Sequence, residues 1–130
     1  MTCHIGFGPY FLLGLDCLPI FCDGTAGNDM PDEGFRKWLG VEYEVMQERH
    51  AVVGMPVRDE MRNLRGVVQG GAVAALIDVG MATAASGGNY DTRLRPMVTL
   101  EMKINYLAPA TGDRLTCVSD VVSAGSRTAV

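Results

Sequence analysis

Asp78 is the only acidic or basic side chain between Arg65 and Asp91, and it stands in a run dominated by Ala, Val, Leu, Ile, Gly and Met. A carboxylate in apolar surroundings is costly unless it is paired or hydrogen-bonded, so its presence there needs a reason. One reason is chemical, a base or nucleophile; another is that Asp78 accepts hydrogen bonds from a neighbouring turn or a partner subunit. Upstream, Gln69-Gly70-Gly71 opens the same apolar run. At the amino end of a helix the backbone N–H groups lack intrahelical partners and the dipole favours negative charge. Two glycines let a ligand approach those amides closely, as an oxyanion site requires. A tight strand-to-helix turn would use the same residues. Seven or eight helical residues, at about 1.5 Å each, put the glycines and Asp78 roughly 10 to 12 Å apart, too far for one carbonyl carbon to touch both. If both act on one group, they come from two copies of the helix, antiparallel across a two-fold axis, with Gly70 of one subunit facing Asp78 of the other.

Competing arrangements are poorer. Ser86, Ser119, Ser123 and Ser126 lack a nucleophile-elbow context, and His4 and His50 are the only imidazoles. Gly66 to Gly71 lacks the Gly-Lys-Ser/Thr ending of a phosphate loop, and Gly87-Gly88 follows a helix instead of opening one. Met61, Met81, Met97 and Met102 read as core filler. Cys3, Cys17, Cys22 and Cys117 are irregularly spaced, which suggests neither a disulfide framework nor a metal site; free thiols and no metal are expected.

The elements that must position these groups follow from periodicity. Ala72, Leu76, Val79 and Thr83 recur at helical spacing, so a helix is expected from Gly70 to Ser86, apolar nearly all round and ended by Gly87-Gly88-Asn89. A short helix is expected over 32–40, with acidic residues at its start and Gly40 at its end. Val41 to Met46 alternates as a half-buried strand, and Ala51 to Val57 gives a weaker one. Further strands are expected from Thr99 to Tyr106 and from Arg114 to Val122, flanking a turn at 109–113, and a last one begins near Arg127. The pattern is α+β, an antiparallel sheet with one central helix. Residues 1–30 read as an amino-terminal extension ending in a small-polar linker, ahead of a single domain over 31–130.

The formal net charge of −4 argues against a surface that holds the nucleic-acid backbone, and still permits a local basic pocket for an anionic small molecule. Ile5 to Cys22 is apolar, but Pro9, Gly14, Asp16 and Pro19 interrupt it and no Lys or Arg precedes it. It makes a poor signal peptide and a worse membrane span, so a cytoplasmic location and no membrane partner are the default expectations.

The run from Asn63 to Asp78, Asn-Leu-Arg-Gly-Val-Val-Gln-Gly-Gly-Ala-Val-Ala-Ala-Leu-Ile-Asp, resembles the signature of the phenylacetate-type (PaaI-like) hotdog-fold acyl-CoA thioesterases. In that family an Asn precedes a His-Gly-Gly or Gln-Gly-Gly turn by six positions and an acidic residue follows on the helix. Val98 to Ala110 resembles the family's next strand and turn, and Val121 to Arg127 the strand and coenzyme-binding bend after it, so the similarity spans about residues 32–130. The resemblance implies a hotdog fold, an antiparallel sheet wrapped around one helix, that continues past the position of Val130. It implies Asp78 as general base or nucleophile, Gly70 as the backbone donor to the oxyanion, and Asn63 and Thr99 as residues that position water and substrate. Gln69 stands where many relatives have His, which excludes an imidazole mechanism and leaves an amide to orient the thioester. Ser123 to Thr128 matches a stretch that contacts coenzyme A. Gly71, Ser123, Gly125, Ser126 and Arg127 are therefore the expected substrate and coenzyme contacts; an exposed strand-end charge is the other reading of Arg127.

The expected activity is hydrolysis of a small, medium-chain or aromatic acyl-CoA by a homodimer or dimer of dimers, without a cofactor, coenzyme A being part of the substrate. The alternative is a non-catalytic acyl-CoA binding or sensing module on the same fold. A hydratase ranks lower because the His and Asp pairing it requires is not apparent.

Overall fold

The computed structural model describes residues 2–6 and 12–13 through their backbone pairing, and residues 34–87, 98–125 and 128–130 in full. Chain order is β1 (Thr2–Gly6), β2 (Leu12–Leu13), α1 (Phe35–Leu39), β3 (Glu42–Gln47), β4 (His50–Pro56), a 3-10 turn (Asp59–Met61), α2 (Gly70–Ser86) and β5 (Arg114–Asp120). The strands form one antiparallel sheet in the order β2-β1-β5-β4-β3. Segment 2–6, expected to precede the domain, pairs with β5 from Thr2↔Asp120 to Gly6↔Thr116.

α1 is anchored by buried Leu39 and ended by Gly40 at φ 74°, a left-handed position that suits glycine. The acidic residues expected in its first turn are not there: the helix starts after Gly34, and Asp32 and Glu33 lie outside the described residues. A two-residue turn joins β3 to β4, with Arg49 at φ 66°. The Arg49 guanidinium donates to the carbonyls of Val121 and Val122, both at 3.1 Å, tying that turn to the chain after β5.

α2 lies across β4 and β5. Leu76, Ile77, Val73 and Met81 pack in one cluster with Val53 and Met55 of β4 and Leu115 and Cys117 of β5. The approach is close at Gly80, where a Cβ would stand 2.7 Å from both Cys117 Sγ and Ser119 Oγ. A second close approach lies within the sheet, where Arg114 of β5 reaches over Gly54 of β4 to Glu42 and Glu44 of β3, at 2.7 and 2.5 Å. These carboxylates, Glu44 first, push the Arg114 pKa up and hold the edge strand to the centre.

Three expectations are corrected. Thr99 to Tyr106, expected as a strand, pairs with none of β1 to β5, and its Met102 and Ile104 pack on the core. Alternating side chains fit a strand, but a ladder needs a neighbouring edge. The strand placed near Arg127 is half of a short terminal hairpin. Ser123 and Val130 exchange backbone bonds of 2.8 and 2.7 Å, and Gly125 N–H donates to Thr128 O at 2.8 Å. Cys117 is disulfide-bonded instead of free, to a partner outside the described side chains. Among the described residues, no group of three His, Cys, Asp or Glu could hold a metal ion, and no helix is long and apolar enough to cross a membrane.

Candidate active site

The loop that delivers Gln69 is fixed before the helix begins. Arg62 and Val68 form an isolated antiparallel bridge, Val68 N–H donates to Ala110 O at 2.9 Å, and Gln69 N–H to Met61 O at 2.7 Å. Arg62 fastens this loop to the turn before β5, donating to Gly112 O at 3.0 Å and pairing with Asp113 at 3.2 Å. Asn63 shapes the loop: its Oδ1 accepts from Arg65 N–H at 2.8 Å, its N–H donates to Val67 O at 2.8 Å, and its carbonyl accepts from Gly66 N–H at 2.9 Å. That leaves Nδ2 as the part of Asn63 able to face a ligand.

At the start of α2, Gln69 is an N-cap whose side chain makes no capping bond. Its carbonyl accepts from Ala72 N–H at 2.9 Å and Val73 N–H at 3.3 Å. The N–H groups of Gly70 and Gly71 have no acceptor among the described residues. Gly71 is exposed, and a Cβ built on it would meet nothing within 4 Å. Gly70 is covered on one side by Tyr106, whose hydroxyl donates to Gly70 O at 2.9 Å. Burial pushes the Tyr106 phenol pKa up, so it remains a proton donor.

Two turns along the helix, Asp78 is half-buried, and Thr99 Oγ1 donates to its Oδ1 at 2.5 Å. Segment 98–107 therefore touches α2 at both chemically interesting places, Thr99 at Asp78 and Tyr106 at Gly70. Within one chain the carboxylate and the open amides remain on separate turns, about 12 Å apart by helical rise. Ser123 and Gly125 lie in the exposed terminal hairpin after β5, and Ser126 and Arg127 lie outside the described residues. Tyr106 was not among the residues singled out from the sequence. It is an aromatic at the end of an apolar segment and is 54% exposed, so neither its spacing nor its burial set it apart.

A family model described as the thioesterase superfamily matches residues 65–130. The medium/long-chain acyl-CoA thioesterase YigI of Escherichia coli is 27% identical over 109 residues, covering 74% of this chain and 70% of that protein. Among solved structures, a conserved protein of Pseudomonas aeruginosa superposes with TM-score 0.67 at 34% identity, covering 75% of this chain and 76% of that one. The Escherichia coli PaaI protein of the phenylacetic acid degradation operon superposes with TM-score 0.66 at 29% identity, covering 75% and 68%. With its central helix on an antiparallel sheet, the chain belongs to the thioesterase superfamily and has the hotdog fold.

Proposed function

We propose that this protein hydrolyses acyl-CoA thioesters at a site shared between two copies of the chain. The observation that carries the reading is a single helix with open amide donors at its first turn and a carboxylate, hydrogen-bonded by Thr99, two turns later. In the proposed reaction the Asp78 carboxylate takes a proton from water as the hydroxide oxygen bonds to the thioester carbon. The carbonyl π pair moves onto oxygen, where the Gly70 and Gly71 N–H groups of the other subunit donate to it. Collapse of this intermediate breaks the carbon–sulfur bond, and the coenzyme A thiolate takes the proton held by Asp78. The alternative route, attack by Asp78 itself to give an anhydride that water then opens, needs the same groups. Neither route needs a cofactor.

The helical separation of the two groups supports a shared site, since one carbonyl served by both draws them from two copies of α2. Support also comes from the face of α2 that carries Asp78, where Gly71, Ala74 and Ala82 are small enough for a second helix to approach closely. Beside it, segment 98–107 exposes the apolar side chains of Val98 (82%), Leu100 (53%) and Leu107 (60%). A homodimer that packs these surfaces together would cover both features, and a dimer of dimers would repeat the unit. To Asn63 Nδ2 and the Gln69 amide we assign the orientation of the thioester, and to Gly71, Ser123, Gly125, Ser126 and Arg127 the contacts with coenzyme A.

For the acyl group we propose a small, medium-chain or aromatic acid, in line with relatives named for medium/long-chain acyl-CoA and phenylacetic acid degradation. The test is release of free thiol from a panel of short, medium, long-chain and phenylacetyl thioesters of coenzyme A, with wild type and Asp78→Asn. Turnover in wild type and its loss in a folded Asp78→Asn is expected. Binding of the panel without thiol release would replace hydrolysis with a binding module, and undiminished turnover by Asp78→Asn would remove that residue from the mechanism.

A further inference from the structure

We propose that Tyr106 is a positioning residue for the oxyanion site, its hydroxyl acting through the Gly70 carbonyl to orient and polarise the peptide that presents the Gly71 N–H. This inference rests on the hydrolytic reading for its catalytic consequence but not for its structural content. The Gly70 carbonyl and the Gly71 N–H are the two ends of one planar peptide unit, so a donor fixed on the oxygen fixes the direction of the hydrogen. Tyr106 Oη donates to that oxygen at 2.9 Å. A hydrogen bond accepted at a carbonyl also draws electron density from its amide nitrogen and makes the N–H a stronger donor, by about 10–30% per bond in condensed-phase estimates.

Packing makes the arrangement specific. A Cβ on Gly70 would lie 3.4 Å from the Tyr106 ring, so the ring of this half-exposed tyrosine lies against the glycine and a side chain there would crowd it. Met102 and Ile104, earlier in the same segment, hold it by packing on the core. At the other end of the unit the Gly71 N–H has no acceptor among the described residues, so it is the end available to a ligand. As the first residue of α2, Gly70 also offers its carbonyl to the intrahelical N–H four residues on, so Tyr106 is a second donor on the same oxygen and adds to its polarisation. Segment 98–107 thus serves both halves of the chemistry, through Thr99 on the carboxylate and Tyr106 on the amides.

Tyr106→Phe removes the hydroxyl and keeps the ring, so it separates this role from packing. The turnover number should fall about threefold to tenfold, the range expected for one hydrogen bond felt through a second. KM should change less than about twofold, because the bond acts on a donor that strengthens as charge develops on the substrate oxygen. In the amide NMR spectrum of the free protein, the Gly71 proton resonance should move upfield in the variant, while core resonances such as Leu76 and Leu115 stay in place. An unmoved Gly71 resonance overturns the proposal, as does an unchanged turnover number in a protein whose wild type is active. A wild type inert towards the whole acyl-CoA panel would defeat the hydrolytic reading alone, and the Gly71 resonance would still decide whether Tyr106 polarises the peptide.

Discussion

Two glycines on α2 should respond to the same substitution in opposite ways. At Gly80 an added methyl would sit 2.7 Å from both Cys117 Sγ and Ser119 Oγ. Carbon normally stands about 3.5–4.0 Å from a non-bonded neighbour, so α2 and β5 must separate by roughly an ångström at their closest point. Overpacking of this kind costs about 1–3 kcal/mol. For a chain of this size that corresponds to a fall of roughly 3–5 °C in Tm per kcal/mol. At Gly71 the same methyl meets nothing within 4 Å and should leave stability unchanged or raise it by up to about 1 kcal/mol through helix propensity. It occupies the space that a carbonyl oxygen needs, however, so turnover should fall although the fold gains. Urea or thermal unfolding of Gly80→Ala and Gly71→Ala, with thiol release measured on the same samples, checks both arms. A Gly80→Ala protein as stable as wild type would refute the close-approach argument, and a fully active Gly71→Ala would refute the placement of substrate against the helix start.

Thr99→Val removes the 2.5 Å hydrogen bond to Asp78 while keeping side-chain shape; a bond to a charged group at a partly exposed site should be worth about tenfold in turnover, measured by thiol release with KM monitored. Gly54→Ala would put a Cβ 2.3 Å from Arg114 Nη2, so the arginine must leave Glu42 and Glu44 and the β3 edge should loosen, seen as faster amide hydrogen exchange over Glu42–Gln47. Leu100→Asp places charge on the exposed segment proposed to meet a second copy, and should shift sedimentation towards monomer with loss of turnover; a dimer of full activity would place the interface elsewhere.

α2 was legible because several independent signals coincide: a glycine pair at its start, an alanine-rich apolar repeat, and Gly87, found at φ 64° as its C-cap. β3 and β4 likewise begin and end within a residue of the bounds their sequence alternation suggests, although β3, expected to be half-buried, is exposed at every residue but Val45 because it is the edge of the sheet. What the sequence hid depends on contacts between distant segments. Residues 99–106 carry a strand's alternation, but whether an edge lies beside them is not encoded locally. The bridge from Arg114 over Gly54 to Glu42 and Glu44 depends on the register of three strands, and no spacing reveals it. Asp78 stood out as a lone charge in an apolar run, whereas Tyr106 was inconspicuous as an aromatic at the end of an apolar segment, because its significance lies in what its hydroxyl reaches. Asn63 was noticed by motif; that its Oδ1 closes its own loop became visible only in three dimensions.

The central claim is that Asp78 of one subunit and the open amides of another make one site, and complementation tests it most directly. Asp78→Asn and Gly71→Val, each inactive alone, would be mixed, dissociated and reassociated, and thiol release measured on the mixture. If the site is shared across a two-fold axis, half of the random dimers are mixed and each mixed dimer carries one intact site, so about a quarter of wild-type activity should return. A mixture as inactive as its components, with mixed dimers demonstrated, would contradict the account and place both groups of each site within one chain.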